Sequence, residues 1–101
     1  MEFTFLEPWH HCDDARLEIE LRREVCEKHV LFGIEARIMA RRQDCDNCLF
    51  SLPNGRFAEV HLTWPKESDP TWPDTRIYDS EQQMRVAIKS DIDEWNEIEN
   101  T

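Results

Sequence analysis

Glycine is scarce in this chain: only Gly33 and Gly55 occur among 101 residues. Two isolated glycines build neither a phosphate-binding loop nor a dinucleotide fingerprint, so nucleotide cradles of those kinds are excluded. Cations are also in short supply, with 12 Lys and Arg against 22 Asp and Glu and a net charge of −10. That balance argues against general binding to nucleic acid or to an anionic membrane. No apolar run approaches the ~20 residues that cross a bilayer. The opening Met1–Leu6 stretch lacks the basic start of a signal peptide, so a cytoplasmic protein is expected. Internal repeats and Gly/Ser linkers are missing, and the length suits one domain over residues 1–101. Residues 1–12 are expected as a flexible or edge-strand N-terminus and 99–101 as a frayed end.

What the chain has is apolar residues (40%), including four Trp and five Phe, enough for one packed core. Asp13 and Asp14 are good N-caps for a helix through about Lys28, with Leu17, Leu21 and Val25 on one stripe widened by Ile19 and Cys26. Residues 34–42 alternate as a half-buried strand, Ile34, Ala36, Ile38 and Ala40 to one side and Met39 the exception. Runs at 48–52 and 57–64 flank Asn54-Gly55, a hairpin signal. A two-residue turn there puts Phe50 on the face of Glu59 and His61. Burying Cys48, Phe50 and Leu52 with Ala58, Val60, Leu62 and Trp64 needs a register one residue away, through a three-residue loop or bulge. Burial is expected to win. Pro65, Pro70 and Pro73 exclude helix and central strand from 64 to 79, a long loop pinned by Trp72 and Tyr78. Ser80 and Gln83 form a capping box for a last helix with Met84, Ile88, Ile92, Trp95 and Ile98 on its apolar stripe. The expectation is an α+β fold in αβββα order, a three-stranded antiparallel meander with both helices on one face.

Cys45 and Cys48 form a C-x-x-C, and His10, His11 and Cys12 supply further ligand types that tetrahedral zinc accepts. The spacing lacks the second knuckle or regular His pair of a strong zinc signature, so free thiols are the plainer reading and no cofactor is expected, zinc being the alternative. Redox use is disfavoured, because the pair precedes a strand and is flanked by Asp44 and Asp46 rather than by a helix N-terminus.

Val60-His61-Leu62-Thr63-Trp64, followed by Trp72-Pro73-Asp74-Thr75, resembles a family of small uncharacterised bacterial proteins. The stretch from Ala40 to Asp46 before Leu49-Phe50 looks like part of the same pattern, and the likeness covers roughly residues 15–80. It implies a bacterial origin and a stand-alone domain, and no catalytic residue to carry over.

In the burial register His61 projects with Glu59 and Thr63 from the other sheet face, near Ser51, Arg37 and Arg41. A neutral-pH acid or base needs a His oriented by a carboxylate, so His61 and Glu59 are the catalytic candidates. The plainer reading is a solvated polar face whose charges pair across strands. His61, Trp64, Trp72, Tyr78, Arg37 and Arg41 form the expected binding surface, since exposed Trp and Arg serve as interface anchors. The sequence therefore points to a small acidic interaction module, inhibitor-like, immunity-like or an accessory subunit, whose partner is a protein with a basic surface or a second copy. The rivals are a small-molecule enzyme using His61 and Glu59 and a zinc-stabilised module.

Overall fold

The computed structural model describes residues 4–99, with side chains through residue 97. The fold is α+β, built on a five-stranded antiparallel sheet whose strands lie side by side in chain order. They are β1 (Trp9–His11), β2 (Arg37–Arg42), β3 (Asn47–Ser51), β4 (Phe57–His61) and β5 (Asp74–Tyr78). Helix α1 (Arg16–Glu24) lies between β1 and β2 in the chain, and α2 (Glu81–Glu99) follows β5. The expected meander is the middle of this sheet. Within the N-terminal stretch, Trp9–His11 form the edge strand β1. The long Pro/Trp segment is loop only to Pro73; the proline-free Asp74–Tyr78 then pairs with β4 as an edge strand.

The helices lie on opposite faces of the sheet, not on one. Alternation along β3 sets this: Cys48 and Phe50 join Leu17, Leu21 and Val25 in one core. Leu49 points the other way, to Trp9, Phe57, Met84, Ile88 and Ile92. Three consecutive side chains, Cys48, Leu49 and Phe50, are fully buried. That continuous burial marks a strand covered on both sides, and each amphipathic helix has one stripe to bury. The face expected to be open and polar around Ser51 and Glu59 is thus largely roofed by α2.

A bulge between Ile38 and Ala40 explains why Met39 breaks the alternation of β2. The extra residue reverses the facing of the remainder of the strand, so Ile38 packs on the α1 side and Ala40 on the α2 side. At the hairpin, burial does decide the register: Phe50 lies opposite Ala58 and Cys48 opposite Val60. The connection is the three-residue turn Pro53–Gly55, closed by Leu52 N–H to the Arg56 carbonyl at 2.8 Å. Asn54 and Gly55 both take left-handed backbone (φ 67° and 74°), which these two residue types tolerate best. Trp64, expected to be buried with Leu62, is instead 41% exposed.

Helix α1 is shorter than its stripe suggests. Asp14 accepts the Arg16 N–H at 3.0 Å and clasps its guanidinium, which holds the Asp14 carboxyl down at about 2. The helix stops at Glu24 with Val25 already extended. Successive turns then carry the chain to Ile34. Buried His29 holds them, accepting the Leu31 N–H on Nδ1 (3.0 Å) and reaching the Pro73 carbonyl with Nε2 (2.9 Å). Cys26 therefore leaves the helical stripe and is half-buried, and Ile19 is exposed, not core. The capping box of α2 forms with a shift: Ser80 Oγ accepts the Gln83 N–H, while the Gln83 side chain takes the N–H of Asp79. The expectation for the Ile98 side chain and, of the frayed 99–101, residues 100–101 fall outside what the structure describes, while Glu99 is the last residue of α2. Among the described residues no helix is long and apolar enough to cross a membrane.

Candidate functional site

His61 ends β4, with Asn47 opposite it on β3. The two are joined, His61 Nδ1 to Asn47 Oδ1 at 2.6 Å, and Asn47 Nδ2 donates to Glu59 Oε2 at 2.6 Å. The other Glu59 oxygen accepts the Tyr78 hydroxyl at 2.9 Å. This chain of bonds fixes protons. A carboxylate only accepts, so the Asn47 amide must turn its NH2 to Glu59 and its oxygen to His61. His61 Nδ1 must then carry the hydrogen that it donates to Asn47 Oδ1. Glu59 is linked to His61 through Asn47, its two oxygens accepting from Asn47 and Tyr78.

Tyr78 sits at the buried end of this array. Burial, then the Glu59 charge and its hydrogen bond, push the phenol far above its ordinary value of 10. Burial likewise lifts the Cys48 thiol to about 12. Both values are raised, so the stability they contribute is intact below the unfolded values, near pH 9 for Cys48 and 10 for Tyr78, and is lost as pH rises beyond them. Tyr78 is the only tyrosine. Its phenolate absorbance is therefore expected to appear together with the loss of far-ultraviolet circular dichroism in an alkaline titration. A phenolate signal centred near pH 10 with the fold intact would refute this.

The other candidates do not assemble around His61. Arg41 lies opposite Cys48, its guanidinium 6.0 Å from the Trp64 ring and 3.9 Å from Asp46. Arg37 is at the far end of β2, ion-paired with Glu35 and Glu18. Trp72 is 45% exposed, so it does not pin the loop; that role falls to Pro73, which is fully buried, and to His29. The zinc candidates do not converge on a common point. His10 and His11 are consecutive on β1 and point to opposite faces. Cys12 packs against the α1-side core, Cys48 is fully buried, and Cys45 lies in the turn before β3 with its thiol raised by burial. Among the described residues no group of three or more His, Cys, Asp or Glu is placed to hold a metal ion.

A second site, without a counterpart among the sequence expectations, lies on the α1 side. The end of α1 and the turns after it form one wall of a groove of about 890 Å³, and residues 66–70 form the other. It adjoins a hollow of about 430 Å³ floored by Leu21, Leu31, Ile34 and Ala36. Phe32 stands at the seam of the two, 51% exposed. Arg22, Lys28 and Lys66 line the groove, in a chain whose net charge is −10.

Glu24 builds the second wall. Fully buried, it accepts the Thr63 N–H (2.8 Å), the Thr63 hydroxyl (3.1 Å) and the Trp64 N–H (2.8 Å). Its backbone carbonyl takes the Glu67 N–H at 3.2 Å. Arg23, paired with Glu20 at 2.6 Å, also donates to the Trp64 carbonyl. These bonds hold Trp64 in left-handed backbone (φ 76°), a conformation that costs a bulky residue roughly 1–3 kcal/mol. Burial, then a hydrogen bond with Glu20, raises the Glu24 carboxyl. Glu20 moves the other way: burial resists, but its bonds to Glu24 and Arg23 bring it down.

Glu24, His29 and Asn47 are the residues that sequence reasoning missed. Glu24 and His29 read as an ordinary helix glutamate and a loop histidine, and their partners are about 40 residues away. Asn47 carried a faint signal, since it falls two positions from Leu49 and so on the face of Glu59 and His61 once the register is known. Comparison with protein-family models, curated proteins and solved structures finds no match to this chain. The likeness around Val60–Trp64 and Trp72–Thr75 therefore lends no residue a role, and function is argued from the site alone.

Proposed function

We propose that the protein is a small interaction module, of the inhibitor, immunity-protein or accessory-subunit kind, docking through the groove beside α1. The observation that carries this reading is Phe32, a large apolar side chain half in solvent between two hollows with an apolar floor. Exposed aromatics flanked by cations are the composition of interface anchors. The net charge of −10 favours approach to a partner with a basic surface, a long-range effect independent of what seats in the groove. Four free thiols support a reducing compartment, the cytoplasm. Binding is favoured over catalysis by His61 because its ring is bonded to the neutral Asn47 amide, while Glu59 is held by Asn47 and Tyr78.

The test is a photo-crosslinking side chain placed at position 32 in the native cell, with Val86 as control. Val86 is 60% exposed on α2, across the sheet from the groove. A discrete adduct from position 32 and none from 86 is expected. No adduct at 32, or the same adducts from both positions, would overturn the docking assignment.

A further inference from the structure

The rim charge of the groove says what kind of segment it holds. Its lining carries Arg22, Arg23, Lys28 and Lys66 against two carboxylates, Glu27 and Glu67. Arg23 is turned to Glu20 and the Trp64 carbonyl. Arg22, Lys28 and Lys66 have no ion-pair partner among the described residues. Cations are scarce in this chain, and elsewhere most are neutralised by a neighbour: Arg16 by Asp14, Arg37 by Glu35, Arg42 by Asp44, Lys89 by Asp93. Three unpaired cations around a groove whose apolar lining is Val25, Phe32 and Pro70 are complementary to carboxylates flanking a bulky apolar side chain.

We infer that the groove seats a short acidic segment of a partner protein, anchored by one large apolar side chain between Phe32 and Val25, its carboxylates against Arg22, Lys28 and Lys66. This rests on the docking assignment above and supplies the partner's chemistry. The sign is opposite to that expected of the whole chain, because net charge governs approach at long range while short-range pairing is local.

Three capped peptides test it by amide chemical-shift mapping on the full chain: Asp-Asp-Trp-Asp-Asp, its lysine counterpart Lys-Lys-Trp-Lys-Lys, and Asp-Asp-Ala-Asp-Asp. The first is expected to shift resonances of residues 22–32 and 66–70, saturably, with an affinity that falls several-fold as salt is raised. The lysine and alanine peptides are each expected to bind about tenfold more weakly, roughly the effect of one lost anchor or a reversed charge set. The double substitution Arg22→Gln with Lys66→Gln, in rim side chains that no core contact requires, should weaken the first peptide several-fold and leave the remaining spectrum unchanged. Equal binding of the lysine peptide, shifts centred elsewhere, or no saturable binding would each overturn the inference. Loss of the acidic peptide alongside a retained adduct at position 32 would remove the charge assignment and leave the docking surface standing; loss of both would remove the docking surface too.

Discussion

Replacing Glu24 by leucine will lower the melting temperature by roughly 15–30 °C. The substitution keeps an apolar stem in a fully buried site but removes the acceptor for the N–H groups of Thr63 and Trp64 and for the Thr63 hydroxyl. The three donors are only partly buried, so each left without a partner costs toward the lower end of about 1–3 kcal/mol, and two backbone donors plus a hydroxyl come to roughly 3–5 kcal/mol. For a domain of this length each kcal/mol shifts the midpoint by about 4–8 °C. Glu24→Gln is the informative companion, since it keeps one acceptor oxygen and should lose about half as much.

The pH dependence distinguishes the two variants further. The Glu24 carboxyl is raised, so the stability tied to its proton is present below the ordinary glutamate range and declines as pH rises through the folded value. Glu20 is lowered and acts in the opposite sense, contributing above its unfolded value and losing that contribution as pH falls. In Glu24→Gln the first contribution disappears and the second persists, so stability should fall less on going from mildly acid to neutral pH than in the parent. A Glu24→Leu protein melting within about 4 °C of the parent, the shift of a single kcal/mol or less, would show that the 63–64 segment does not depend on this carboxyl.

The second large effect is expected at the other core. Trp9→Ala should cost about 3–5 kcal/mol, the usual range for deleting a buried aromatic side chain, out of the roughly 5–15 kcal/mol that holds a domain together. Trp9 is 1% exposed in the cluster with Leu49, Met84 and Ile88. Its indole N–H reaches Asp91 on α2 at 3.0 Å, and the Arg42 guanidinium lies 5.9 Å from its ring. Trp9→Phe keeps the ring burial and drops the hydrogen bond, and should cost about 1 kcal/mol. Urea midpoints of the two variants, with Leu6→Ala at a 56% exposed neighbour as reference, provide the measurement. If Trp9→Ala is no less stable than Leu6→Ala, β1 is not part of the cooperative unit.

These two residues also mark how far the sequence could be read. The hairpin was legible because its signals are local: Asn54-Gly55 marks the turn, and alternation at Cys48–Leu52 against Ala58–Leu62 selects the register that buries Phe50. The capping pair Ser80 and Gln83 and the stripe Met84, Ile88, Ile92 placed α2 for the same reason. The array around His61 was half legible: Glu59 and His61 share a face by strand period alone, whereas Asn47 and Tyr78 join them only through pairing with β3 and β5. Strand β1, three residues beside Pro8, was legible only as one of two readings of the N-terminus, and β5 was hidden because it directly follows Pro73 in a stretch read as loop.

What the sequence by itself determined is therefore the α+β class, the central three strands, the hairpin register and the existence of two amphipathic helices. Those arise from period and turn chemistry, which act over a few residues. Tertiary structure alone decided that the helices take opposite faces, since the bulge at Met39 and the fully buried run Cys48–Phe50 have meaning only once both layers are present. It also decided where α1 ends and where the docking groove lies. Glu24 and His29 act on partners about 40 residues distant, and a buried polar group is set by what it meets in space, not by its neighbours in the chain.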